Sequence, residues 1–358
     1  MHLMRLKQTV FDPTFKMRFE AGRWYLAETQ NAVPMFPGQP SALQARFPDA
    51  ELVPLRWEEH GFRVVPRYDD PDERIWVIRA GGYGDLFYLM PVLAAIAQRL
   101  RNPHEQLTLQ TAMEPFPTRV PCRFFSFPSA LDELDRNAAI LNMEDIPGEL
   151  EDDHAGSSTA RYALRAGLRE QDLIWDADAL FPLGELKKRG DELWRSWFGV
   201  RRPRVVVALT ASAATRSVPA AFQIAMALAG RAAVYFAAPT MQPTPFPAGL
   251  LSKPDDWMGV VVAADGVIGT DTAPTHLSIL LRKPTLAVFG AIPSILRIPE
   301  VFRNAEWLTV LDVFKQSPCP CKLNRPVCPI SLQPFCFALA AKQEELFRQA
   351  LEFVRSLS

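Results

Sequence analysis

The sequence predicts an α/β protein of two Rossmann-like domains that face a cleft, preceded by a β-rich segment. Short apolar runs typical of buried parallel strands occur at Ile75–Ile78 and again at residues 205–209. Each run opens a series in which strands alternate with helical patterns, the order of a parallel sheet with right-handed crossovers. At 358 residues, the chain is long enough for two domains that each bury a core.

Four segments are predicted along the chain. Residues 1–70 form an N-terminal extension, and residues 71–200 and 201–338 form the two Rossmann-like domains. Residues 339–358 form a last helix that packs back on the body, because its apolar residues recur at helical spacing.

Within the second domain we expect several further elements. Helices are predicted at residues 219–228 and 274–282, and strands at residues 233–237, 259–263, 266–269 and 285–289. In the first domain, the acidic stretch at residues 149–153 is predicted to be a mobile, solvated loop.

Composition excludes some functional classes. The chain has 39 Lys and Arg against 40 Asp and Glu, so no overall field attracts it to nucleic acid or to an anionic membrane. No secretory signal opens the chain, and the uncharged stretch 232–252 contains prolines that forbid a membrane helix. We expect a cytoplasmic protein that contacts the inner face of the membrane at most peripherally.

Asp85 is the first candidate for chemistry. It follows the strand Ile75–Ile78 and a turn containing Gly82 and Gly84, and a helical pattern begins directly after it. Open α/β folds bind ligands at this edge of the sheet. Helix capping by Asp85 is the alternative. Phe87 occupies the third glycine position of the dinucleotide fingerprint, which disfavours a nicotinamide or flavin enzyme.

Two further motifs lie in the second domain. Asp271, Thr272 and His276 stand where a short strand passes into a helix, and the free N–H groups of such a turn are suited to bind a diphosphate. Ser212 and Arg216 follow another buried strand and predict a phosphate-binding loop. A buried core histidine and an ordinary polar loop are the respective alternatives.

Together these motifs resemble glycosyltransferase family 9, the heptosyltransferase-like inverting enzymes of the GT-B fold. The residues that match the family's motifs, in chain order, are Gly84-Asp85, Ser212, Arg216, Asp271-Thr272 and His276. The sequence departs from the family at Ala273, where a glycine is usual, and at Gly81-Gly82, where small hydroxyl residues are usual.

The resemblance implies an inverting, metal-independent transfer of a sugar from a nucleotide-diphosphate sugar to an acceptor hydroxyl. Asp85 would act as the base, and Arg216 with the turn from Thr272 to His276 would stabilise the departing diphosphate in place of a metal ion. The expected acceptor is a cell-surface glycan or its lipid-linked precursor. No cofactor is expected beyond the donor.

Four of the cysteines are clustered near the C-terminus: Cys319, Cys321, Cys328 and Cys336. Clustered thiols in a cytosolic protein suggest structural zinc, although this spacing is not a standard zinc pattern. Free or redox-paired thiols are the alternative.

Two other functions compete with the leading one. A glycosyltransferase acting on a modified base in DNA would use basic and aromatic residues of the N-terminal segment, namely Arg5, Lys7, Lys16, Arg18 and Arg23 with Phe11, Phe15, Phe19, Trp24 and Tyr25. A hydrophobic β-ribbon with solvated charges explains the same residues. A non-catalytic nucleotide-sugar binder is disfavoured, because the position of the base is an acid.

Overall fold

The computed structural model describes most of the chain. The described residues are 1–13, 17–27, 40–65, 68, 70–144, 156–212, 214–238, 244–290, 292–313, 328, 332–333 and 336–357. The acidic stretch at residues 149–153 lies outside them. Among the helices in these ranges, none combines the length and apolar character that a bilayer-spanning segment requires.

The N-terminal segment is built from short antiparallel strands. Its elements are β1 (His2–Arg5), β2 (Val10–Asp12), β3 (Met17–Phe19), β4 (Trp24–Ala27), the helix α1 (Ala42–Arg46) and β5 (Glu51–Pro54). Strand β1 pairs with both β4 and β5, and β2 pairs with β3. Buried residues such as Leu3 and Leu26 pack in one cluster with Trp76 and Ile140, so the segment shares a core with the sheet that follows.

The first Rossmann-like unit has a parallel sheet in the order β6-β10-β7-β8-β9. Its elements are β6 (Arg63–Val64), β7 (Ile75–Ile78), α2 (Tyr83–Ala97), α3 (Pro103–Gln106), β8 (Leu107–Thr111), β9 (Arg123–Ser126), β10 (Ala139–Asn142), α4 (Ser158–Arg165) and α5 (Ala177–Leu180). Strand β6 lies within residues 1–70, which were predicted to form the N-terminal extension, yet it is hydrogen-bonded into the sheet of the first unit.

The second unit repeats the pattern with a parallel sheet in the order β12-β11-β13-β14-β15. Its elements are α6 (Leu183–Phe198), β11 (Arg204–Ala208), α7 (Ala221–Ala229), β12 (Ala233–Phe236), α8 (Pro254–Ala263), β13 (Gly266–Gly269), α9 (Ala273–Leu280), β14 (Thr285–Phe289), β15 (Leu308–Asp312), α10 (Phe337–Ala341) and α11 (Gln343–Ser356). Strands β11 to β14 are fully buried, as expected for strands covered by helices on both faces.

The strand predicted at residues 259–263 is wrong, because these residues complete the helix α8. Pro254 in the first turn, with Asp255 and Asp256 beside it, starts a helix that overrides the β-branched run. A Cβ on Gly190 of α6 would lie 1.9 Å from the carbonyl oxygen of Gly259. The two helices therefore cross at paired glycines, which brings α6 onto the second unit.

Where one C-terminal helix was predicted, the chain forms two, α10 and α11. Leu346, Ala350 and Val354 are buried in the core of the second unit, which also contains Val205 and Ile268. The two units face each other where α2 packs against α9. This contact places the carboxyl edge of β7 opposite that of β13.

Candidate active site

Asp85 lies in the first turn of α2, at the interface of the two units. The residue that caps the helix is Gly82, and no side chain makes a capping hydrogen bond. Asp85 is therefore not the N-cap, which removes the alternative reading of this residue. Its carboxylate instead lies 3.1 Å from Nη2 of Arg79.

Arg79 holds Asp85 from the end of β7. The guanidinium is buried, and its Nη1 donates a 2.9 Å hydrogen bond to Glu144 on its other side. A Cβ on Gly81 would lie 2.6 Å from both Arg79 Nη2 and the Asp85 carboxylate. The departure from the family at this position therefore leaves room for the ion pair.

The charges around Asp85 keep it ionised. Burial acts to raise the pKa of Asp85, but the positive charges of Arg79 and Arg297 outweigh it and hold the pKa below its ordinary value. Asp271 acts in the opposite direction, so the two carboxylates lie close enough to influence each other.

Asp271 is a buried anchor at the end of β13. It accepts a 3.0 Å hydrogen bond from Nη1 of Arg216 and a 2.9 Å bond from Nε2 of His276, and Nε of Arg297 lies 3.3 Å away. Burial acts to raise the pKa of Asp271, but these neighbours hold it well below its ordinary range. Asp271 therefore holds the guanidinium groups of Arg216 and Arg297 in place within the cleft.

The two motifs predicted in the second unit come together at Arg216. Its Nη1 also donates to the carbonyl oxygen of Asp271 at 3.0 Å, and its Nη2 donates to the hydroxyl of Ser212 at 2.8 Å. Thr272 is the N-cap of α9, and its hydroxyl lies 3.1 Å from that of Thr275. The arrangement places a cation beside the N-terminus of α9, a combination that favours anions.

His276 joins the two units. Burial lowers the pKa of this imidazole below its ordinary value, so the ring is neutral at pH 7. With Nε2 donating to Asp271, Nδ1 accepts a hydrogen bond from the hydroxyl of Tyr88 on α2. Both ring nitrogens are thus engaged within the protein.

Gly84 permits this close approach. A Cβ at this position would lie 2.7 Å from Cδ2 of His276, whereas one on Gly82 would meet nothing within 4 Å. A side chain could therefore be accommodated at Gly82, whereas packing against α9 requires a glycine at position 84.

Several cleft residues had no signal in the sequence analysis. Arg297 follows β14 without a motif, yet it contacts Asp271 and donates a 2.9 Å hydrogen bond to Ser158 of the first unit. Tyr88 and Tyr162 look like ordinary core residues in a sequence. Arg79, in contrast, had a detectable signal that was missed, because it is a charge between a buried strand and a glycine turn.

The predicted cysteine cluster is only partly described by the structure. Cys328 and Cys336 are buried, whereas Cys319 and Cys321 lie outside the described residues. Within the described part of the chain, no cluster of three or more residues is arranged to hold a metal ion.

In the N-terminal segment, several of the basic and aromatic residues are engaged in contacts within the protein, whereas Phe11 is 64% exposed. Arg5 pairs with Glu51, Arg23 pairs with Asp132, and the rings of Phe19 and Tyr25 are buried. Lys16 and Phe15 lie outside the described residues. These contacts favour the β-ribbon interpretation over the DNA-binding one.

Comparisons of the sequence give no match to any protein-family model or curated protein. The fold, however, is similar to a glycosyltransferase family 9 structure from Veillonella parvula, with a TM-score of 0.53 and 12% identity over 80% of this chain and 99% of that one. It is also similar to the iron-containing dodecameric glycosyltransferase TibC from Escherichia coli, with a TM-score of 0.52 and 11% identity over 100% of this chain and 92% of that one. A complex of TibC with ADP-D-β-D-heptose gives a TM-score of 0.51 at 11% identity, with the same coverage of both chains. The chain therefore has the GT-B fold of heptosyltransferase-like family 9 glycosyltransferases, which confirms the fold and the resemblance predicted from its motifs.

Proposed function

We propose that this protein is an inverting glycosyltransferase that moves a sugar from a nucleotide-diphosphate sugar to an acceptor hydroxyl. The observation that carries the proposal is the juxtaposition of Asp85 with the Arg216–Asp271 pair across the interface of the two units. An ionised carboxylate on one wall and an anchored cation on the other suit a displacement that releases a diphosphate.

Asp85 acts as the general base. An acceptor hydroxyl is a poor nucleophile until a positioned group takes its proton, and Asp85 is ionised over the whole neutral range. Arg79 fixes the carboxylate and is itself held by Glu144. Attack from the side opposite the diphosphate inverts the anomeric carbon.

The second unit binds the donor. Arg216, oriented by Asp271 and Ser212, pairs with the diphosphate, and the N-terminus of α9 at Thr272 supplies backbone N–H groups. Charge that develops on the leaving diphosphate is neutralised by these groups. In this proposal catalysis requires no divalent metal ion.

ADP-heptose is the first donor to test, because TibC was crystallised with ADP-D-β-D-heptose. The proposed acceptor is a cell-surface glycan or a lipid-linked precursor at the cytoplasmic face of the membrane. The DNA-modifying alternative is disfavoured, since Arg5 and Arg23 are already paired with carboxylates.

We propose separately that the cysteine cluster binds a structural metal ion. Two buried thiols at Cys328 and Cys336 suit zinc or iron, and TibC is described as iron-containing. Elemental analysis of the purified protein beside a Cys328→Ser/Cys336→Ser variant tests this. A stoichiometric metal that is lost in the variant supports the site, and a metal-free wild type contradicts it.

The function is tested by a thermal-shift screen of nucleotide sugars followed by donor consumption. A donor that binds only the native state raises the melting temperature. We expect stabilisation by one nucleotide-diphosphate sugar and turnover in excess EDTA. Absence of binding and consumption across the panel would refute the proposed function, and turnover that stops until Mg²⁺ or Mn²⁺ is added would refute its metal independence.

A further inference from the structure

Helix α4 carries two buried hydroxyls that have no hydrogen-bond partner among the described residues. They belong to Tyr162 and Thr159, whose exposed fractions are 1% and 0%. An unpaired buried hydroxyl is unfavourable, so its presence in a folded protein requires a reason. Because the two residues are three positions apart on a helix, their side chains are neighbours on one face.

This face of α4 lies beside the candidate base. The guanidinium carbon of Arg79 is 5.9 Å from the centre of the Tyr162 ring, and the same guanidinium holds Asp85 at 3.1 Å. The first residue of α4, Ser158, is bonded to Arg297 and to the carbonyl oxygen of Leu296 in the second unit. The start of α4 therefore forms part of the interface at which the reaction would occur.

The Tyr162 hydroxyl is available as a hydrogen-bond donor. Burial raises the pKa of Tyr162, and the charges of Arg79 and Asp85 act on it in opposite directions. The group stays protonated at neutral pH, so its O–H is a hydrogen-bond donor with no acceptor among the described residues.

We propose that Tyr162 and Thr159 form the subsite for the acceptor alcohol, with Tyr162 donating a hydrogen bond to the reacting oxygen. This inference rests on the proposed function and adds the group that orients the nucleophile. One lone pair of the acceptor oxygen accepts from Tyr162, and the other attacks the anomeric carbon. The acceptor proton passes to Asp85, and the bond from the anomeric carbon to the diphosphate breaks with its electron pair on the departing nucleotide. Thr159 binds a second oxygen of the acceptor or of a neighbouring water.

Tyr162→Phe separates this role from a structural one. It removes a hydroxyl that bonds no described residue, so the melting temperature should not fall. The nucleophile, however, loses its orientation. The measurement is single-turnover hydrolysis of the nucleotide sugar found in the thermal-shift screen, ADP-heptose first, with water as the acceptor. We expect a drop of roughly tenfold in rate, with unchanged affinity for the nucleoside diphosphate.

Tyr235→Phe is the matched control. The Tyr235 hydroxyl donates a 2.7 Å hydrogen bond to the carbonyl oxygen of Gly249 in the second unit. Its loss should lower the melting temperature and leave hydrolysis unchanged. Thr159→Val, which keeps the shape of the side chain, should retain stability and slow hydrolysis, and a wild-type rate of hydrolysis would overturn the assignment of Thr159.

A Tyr162→Phe variant with the wild-type hydrolysis rate would overturn the proposal while the glycosyltransferase function stands. A variant that is both slower and less stable would also overturn it, because the hydroxyl would then have a structural partner such as a buried water. If the wild type consumes no nucleotide sugar at all, the proposed function itself fails, and the acceptor subsite fails with it.

Discussion

The hydroxyl of Tyr88 in the first unit is hydrogen-bonded to Nδ1 of His276 in the second. Since Nε2 of the same ring donates to Asp271, the bond links the helix of the candidate base to the residue that pairs with Arg216 and Arg297. The relative position of the two walls of the cleft is therefore fixed by a chain of buried polar contacts.

Tyr88→Phe should weaken this link. The substitution leaves Nδ1 of His276 buried without a donor, which costs about 1–3 kcal/mol of unfolding free energy. Urea denaturation of both proteins measures the loss. An unchanged midpoint would show that the Tyr88–His276 bond does not stabilise the arrangement of the units.

Gly84→Ala should push the two units apart. Its Cβ would lie 2.7 Å from His276, so α2 or the ring must move, at a cost of about 1–3 kcal/mol. Gly184→Ala is a matched control, because Gly184 also occupies the second position of a helix and has nothing within 4 Å. Chemical denaturation should show destabilisation at position 84 only. Equal stability of the two variants would contradict the close contact.

Protonation of His276 should make stability depend on pH in a defined window. Because its pKa in the folded state is lowered, its contribution is complete above the unfolded value of 6.5 and is lost as the pH falls below it. Melting temperatures between pH 7.5 and 5 should therefore fall more steeply for the wild type than for His276→Gln. His2, whose pKa is also lowered, is present in both proteins and cancels in the comparison. Parallel curves would rule out a neutral buried imidazole at position 276.

Arg216→Ala should weaken the binding of a nucleoside diphosphate. A charge-assisted contact with phosphate contributes roughly 1.5–3 kcal/mol, which corresponds to a loss of about 10- to 150-fold in affinity. Calorimetry with ADP would measure it, and Arg216→Lys should retain part of the affinity because the charge stays. Equal affinity of the alanine variant would remove Arg216 from the donor site.

Much of the framework was predictable from local patterns. The strands Ile75–Ile78, Gly266–Gly269 and Thr285–Phe289 are confirmed at their predicted bounds, since buried parallel strands are short apolar runs with turn residues at each end. Asp85 was placed correctly at the strand-to-helix junction for the same reason. In contrast, the strand predicted at residues 259–263 was wrong, because the packing of their helix against Gly190 outweighed the β propensity of these residues.

The partners of the predicted residues could not be predicted. Arg297 comes from a loop after β14, and Tyr162 comes from helix α4, with no spacing in the sequence that relates either residue to Asp85. They meet at the cleft through the packing of one unit on the other, and such contacts between distant segments leave no periodic signal in one sequence. The roles of His276 and Asp271 as internal anchors depend on these same contacts.

Glu144→Gln is the matched control for a substitution at Asp85. It removes the other carboxylate that holds Arg79, so it matches the loss of charge in Asp85→Asn, and its amide still accepts a hydrogen bond. Both variants should be somewhat destabilised, and both should bind the nucleoside diphosphate nearly as well as the wild type. Only the variant at Asp85 loses the proposed base.

The most direct test of Asp85 as the base is the single-turnover rate of sugar transfer by Asp85→Asn, measured beside Glu144→Gln. General-base catalysis typically contributes 10²–10⁴-fold, so we expect a drop of that size for Asp85→Asn and a rate within about tenfold of wild type for Glu144→Gln. If Asp85→Asn retains more than about a tenth of the wild-type rate, Asp85 is not the base, and the mechanism proposed for this cleft is wrong.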